Sequence, residues 1–82
     1  MQKGATLEQL RESVRLTRAE YNDLNNAFDA VLAAAHNLDH GSPEMIETLR
    51  KANDLAPDVA DALHRYHDAV ASLAEFYSRA VR

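Results

Sequence analysis

Apolar residues recur along this chain at alternating spacings of three and four. In the first half Leu7, Leu10, Val14, Thr17, Tyr21, Leu24, Phe28, Val31, Ala35 and Leu38 form one line, and Thr17 is its single polar member. That spacing is the seam of a helix that lies along another helix. In the second half Met45, Leu49, Ala52, Ala56, Val59, Leu63, Tyr66, Val70, Leu73, Tyr77 and Ala80 form a second line. Glu47, Asp54, Asp61, Asp68 and Glu75 recur every seven residues on the opposite side of that helix, where solvent is expected. The pattern predicts one helix over about 7–38 and another over about 43–81.

Local signals set the ends of these helices. Thr6 with Gln9 three residues on has the form of a capping box, so the first helix starts near Leu7 behind a short frayed lead-in over 1–5. Asn22, Asp23, Asn25 and Asn26 compete for backbone hydrogen bonds and mark a soft spot where a kink could form. Asp39 to Pro43 supplies a glycine suited to a left-handed conformation, a serine N-cap and a proline at the first helical position. So short a link makes the helices antiparallel, as in an αα-hairpin. Pro57 falls on the outer face of the second helix and calls for a kink there, or for a break with Asn53 or Asp54 capping a third helix.

Centring the turn on His40 pairs Leu7 with Leu73, Leu10 with Val70, Val14 with Tyr66, Thr17 with Leu63 and Tyr21 with Val59, so that every layer closes. A slip of one heptad would move the turn centre past Ser42, which suits the Ser-Pro cap less well. Residues flanking the second seam, with Leu16 and Leu32 from the first helix, are left over. Leu16, Leu32, Ile46, Leu55, Phe76 and Val81 are the candidate interface residues, an outer apolar surface wider than one partner helix covers. Two hairpins packing as a homodimeric four-helix bundle would bury it, as would a monomeric three- or four-helix bundle folded back at Pro57, with or without a second break at Asn25. A helix from a different protein is a third way to cover it.

Composition narrows the function. Eighty-two residues make a single helical domain over 1–82, with two Gly, two Pro and no Cys, so neither disulfides nor thiolate metal sites contribute. A net charge of −4 without a basic stripe argues against nucleic acid. No run approaches the roughly 18 apolar residues of a membrane span, and Met1 to Thr6 lacks the layout of a secretory signal. The expectation is a cytoplasmic chain with no membrane contact.

Chemistry finds little foothold. His36 with His40 and His64 with His67 are spaced to share a helical face and could ligate a metal with Asp39, Asp61 or Asp68. In a straight hairpin, however, the two pairs lie about 30 Å apart, and cationic groups near a helix C-terminus have an electrostatic reason of their own. Ser13, Ser42, Ser72 and Ser78 lie in no nucleophile elbow, glycine is too scarce for a phosphate cradle, and the carboxylates line a solvated face. No catalytic residue, cofactor or metal site is assigned.

Two family resemblances concern small helical proteins. Leu7-x-x-Leu10-Arg11 resembles the opening of the small all-helical chorismate mutases, which are homodimers of similar length. That likeness implies an enzyme with a buried cationic pocket, whereas the middle of the first helix offers Asn and Ala. The overall layout is similar to type III secretion needle subunits and, around Gly41-Ser42-Pro43-Glu44, to their short hairpin chaperones. It implies a secretion-apparatus subunit or a small helical chaperone. The residues themselves favour a non-enzymatic, self-associating helical interaction module that binds itself, and also a partner protein, through the apolar flank of the second helix.

Overall fold

The computed structural model describes residues 5–80. Helix α1 runs Leu7–His36 and helix α2 runs Pro43–Ala80, and they pack antiparallel as a hairpin 59 × 23 × 15 Å in extent. No helix is long and apolar enough to cross a membrane among the described residues.

The start of α1 follows its sequence signal. Thr6 Oγ1 accepts from the Gln9 amide at 3.1 Å while Gln9 Oε1 accepts from the Thr6 amide at 2.9 Å, closing the capping box. The helix continues unbroken through Asn22, Asp23, Asn25 and Asn26. It stops at His36, two residues short of the expected Leu38, because Asn37 takes a φ of −89° and ψ of 0° and its amide turns to Ala34 O and Ala35 O. The Leu38 amide then bonds to Ala35 O, a tightened last turn that ends the ladder.

The link is asymmetric. Ser42 caps α2 as expected, its Oγ accepting from the Met45 amide at 3.1 Å, and Pro43 is the first helical residue. Gly41 has a φ of +76° but lies five residues past the end of α1. It serves a separate turn in which the Ser42 amide bonds to Asp39 O, at the third position where a type II turn requires positive φ. The Gly41 amide donates to Met45 Sδ at 3.2 Å, which folds the link onto the first turn of α2.

Helix α2 passes through Pro57 as one element. A straight helix of 38 residues measures about 57 Å, close to the 59 Å length of the molecule, so no break or third helix occurs at Asn53 or Asp54. Pro57 is exposed, so the carbonyl it leaves without an amide partner can be hydrated.

The register differs from the one centred on His40. Tyr21 stacks on Tyr66 with ring centroids 6.3 Å apart, and Glu20 pairs with Arg65, whereas the expected register set Val14 against Tyr66. The helices have slipped by one heptad. Counting along both helices from this layer brings Leu7 level with Ala80 and His36 level with Lys51. Pro43 to Arg50 therefore projects about 12 Å past the end of α1. The six-residue link makes the slip possible, because it runs up beside α2 and does not close a tight symmetric turn.

The face that α2 turns toward α1 also differs. The most shielded positions of α2 are Ala52, Ala62 and Ala69, joined by Ala35 of α1. Leu49, Val70 and Tyr77, all expected in the seam, are exposed, whereas Ala56 and Leu63, expected there too, are half-buried, as are Thr48, Leu55 and Phe76. The line of α2 that faces the link at Met45 and Thr48, and α1 from there on, is thus Met45, Thr48, Ala52, Leu55, Val59, Ala62, Tyr66, Ala69, Leu73 and Phe76. It shares every second member with the expected line, and the others are displaced by one residue.

Small side chains explain the choice. Two helices touch along a narrow line, so only residues on that line are sealed from water, and alanines there let the axes approach to about 8 Å. Larger side chains reach past the line and stay partly wet, and among the described residues no large side chain is fully buried. Polar seam positions satisfy themselves locally. Thr17 Oγ1 donates to Ser13 O at 2.7 Å and Thr48 Oγ1 to Glu44 O at 2.8 Å, each one turn back.

Candidate interaction surface

Residues on each helix fall into columns that repeat every seven positions, and the packing of α1 on α2 gives the hairpin two unlike sides. One side carries the interhelical ion pair: Arg65 Nε and Nη2 donate to the two carboxylate oxygens of Glu20 at 3.2 and 3.0 Å. Half-exposed side chains make it an anchor of register more than of stability. Glu47–Arg50 at 3.8 Å and Glu75–Arg79 at 3.7 Å form within α2 on the solvated face.

The opposite side carries the column Leu49, Ala56, Leu63, Val70 and Tyr77. Its neighbours one helical turn away are Ile46, Asn53, Ala60, His67 and Ala74. Leu49, Val70, Tyr77 and Ile46 are each 40–47% exposed. Leu32 of α1 and Leu38 of the link, both exposed, extend the strip toward the end of the hairpin where α2 projects past α1. The flank of α1 on this side is otherwise polar, with Arg11, Arg18, Asn22, Asn25 and Asp29.

The six residues expected to form the outer surface are therefore distributed over several places. Ile46 and Leu32 lie on the exposed strip. Leu55 and Phe76 turn toward α1, where Phe76 lines a groove with Leu10 and meets the Tyr77 ring edge-on at 6.1 Å. Leu16, 53% exposed, stands alone on the far side of α1 beside Glu8, Gln9, Glu12 and Ser13. Val81 lies outside the described residues. The strip residues that sequence reasoning missed as surface are Leu49, Val70 and Tyr77, assigned to the seam because that line is the more apolar of two adjacent ones.

Groups for chemistry stand apart. His36, His40, His64 and His67 are all exposed, and no three His, Asp or Glu side chains come together to hold a metal among the described residues. His67 leans on the neighbouring Tyr66 ring at 6.3 Å and 39°. Hydrogen bonding from Arg15 holds the Glu12 carboxyl below its ordinary value, and the same contact raises Arg15, both on the exposed face of α1. The grooves are open and shallow, formed where side chains splay from the two helices. Comparison with family models, with curated proteins and with solved structures finds no match for this chain.

Proposed function

We propose that this chain is a non-enzymatic helical association module that binds through the apolar strip on α2, first to itself as half of a four-helix bundle. The observation that carries the reading is the surface left over. A compact protein of 9.1 kDa exposes about 4,900 Å² by the usual scaling, whereas this hairpin exposes 6248 Å². The difference, roughly 1,300 Å², exceeds the roughly 800 Å² that each partner buries in a stable complex. Shape accounts for it: a layer only 15 Å thick has two faces and no interior, and stable domains stack at least two such layers. The strip of Ile46, Leu49, Leu63, Val70 and Tyr77 is where a second layer would deliver the most apolar burial.

The test is the mass of the full chain in solution by sedimentation or light scattering. The reading expects twice 9.1 kDa. Leu49→Asp/Val70→Asp should return it to monomer with most of its helix content intact, since both side chains point away from α1. A monomeric wild type overturns the self-association, and a double variant that stays dimeric moves the interface off the strip.

A further inference from the structure

We infer that the occupant of the strip is α2 of a second copy, laid antiparallel so that a twofold axis passes beside Leu63. This rests on the self-association proposed above and adds which face meets which, and in what direction. The apolar column runs Leu49, Ala56, Leu63, Val70, Tyr77, and Leu63 stands fourteen residues from each end. Reversed on itself about that point, the column sets Leu49 against Tyr77 and Ala56 against Val70. The small residue then faces a branched one and the largest pair closes the two ends, the alternation that packed layers need.

Two other observations single out this occupant. The flank of α1 on the same side carries Arg11, Arg18, Asn22, Asn25 and Asp29, so α1 of a second copy would cover the strip with charge and amide. Only α2 offers a matching apolar column. The overhang provides the other argument. Pro43 to Arg50 projects beyond α1 with Ile46 and Leu49 uncovered, and an antiparallel copy brings its own Tyr77 end over that projection.

Charge agrees with the same direction. Counting from the Tyr21–Tyr66 layer, the antiparallel copy brings Arg18 of one chain level with Asp29 of the other, and Arg11 level with the link that carries Asp39. All four side chains are exposed and available. A parallel pairing would instead set Arg11 and Arg18 against their own copies, and like charges in register oppose association.

The chain contains no cysteine, so single-cysteine variants report contacts without background. Leu63→Cys, Val70→Cys and Leu49→Cys would be oxidised mildly as full-length protein and read on a non-reducing denaturing gel, with helix content checked by circular dichroism. About the proposed axis the two Leu63→Cys sulfurs meet, and this variant should run mostly as covalent dimer. Two Val70→Cys residues would lie about 21 Å apart along the helices and two Leu49→Cys residues about 42 Å apart, beyond disulfide reach. Both should stay monomeric on the gel. A mixture of Leu49→Cys with Tyr77→Cys should cross-link.

Cross-linking of Val70→Cys as readily as Leu63→Cys overturns the antiparallel arrangement. Absence of any cross-link in a protein whose mass is dimeric overturns the choice of face while leaving self-association standing. A monomeric mass removes the self-association reading itself, so failure of the two proposals is told apart.

Discussion

Replacing Ala62 by Leu tests the packing of the hairpin most directly. Ala62 is 0% exposed and lies in the seam of α2 that faces α1, in a column with Leu55 and Ala69. Leucine adds three heavy atoms at a place where the helix axes are held close by alanines, so either the helices separate or the new side chain leaves its favoured rotamer. Overpacking of this kind costs about 1–3 kcal/mol. For a domain of this size each kcal/mol moves the melting midpoint by roughly 6 °C, so thermal unfolding followed at 222 nm should fall by about 6–18 °C. Ala33→Leu, on an exposed position of α1, is the matched control and should stay within about 3 °C of wild type. All three proteins need the same concentration, because association makes the midpoint concentration-dependent. Equal midpoints for wild type and Ala62→Leu would refute the alanine seam and restore the face containing Leu49, Val70 and Tyr77 as the contact with α1.

Three further experiments probe the remaining features. Gly41→Ala should cost about 1 kcal/mol in chemical denaturation, entirely from backbone strain at a φ of +76°, since an added Cβ meets nothing within 4 Å; an unchanged midpoint would show that the turn can re-form without positive φ. Pro57→Ala should stabilise the protein by about 1–3 kcal/mol, because it restores a hydrogen bond in the interior of a continuous helix, and a loss of stability in urea would contradict that continuity. A double-mutant cycle on Glu20 and Arg65 should give a coupling below about 1 kcal/mol that shrinks further in 1 M salt, whereas a larger, salt-resistant coupling would mean the pair is shielded from solvent.

The starts of both helices were legible because each is fixed by chemistry within four residues: Thr6 with Gln9, and Ser42 with Pro43. Direction was legible too, since a six-residue link between long helices leaves no other choice. Register and rotation were not. Both depend on which of two adjacent apolar lines on α2 meets α1, and the sequence ranks lines by hydrophobicity while packing ranks them by fit. Leu49, Leu63, Val70 and Tyr77 make the greasier line, but Thr48, Ala62 and Ala69 make the one that lets two helices approach. The slip of one heptad was set aside only on the Ser-Pro cap, which forms in the slipped register all the same; a heptad repeat looks the same after moving seven residues, and the stacking of Tyr21 on Tyr66 has no signature in spacing. Ile46 and Leu32, placed on the outer surface by the pattern, are exposed, and so are Leu49, Val70 and Tyr77, which the pattern placed in the seam one position away.

Met45, Ala52, Val59, Tyr66 and Leu73 belong to both lines, since the contact with α1 uses them together with the positions three residues on and the exposed strip adjoins them on the other side. Mutations along α2 should therefore sort into three classes at seven-residue intervals. Changes at Leu55, Ala62 or Ala69 act on the fold of a single chain, and changes at Leu49 or Val70 act on whatever the strip meets. Changes in the shared column act on both at once. A suppressor screen started from Tyr66→Ala would need compensating changes on two surfaces, and single second-site revertants of that variant should accordingly be much rarer than those of Leu55→Ala or Val70→Asp.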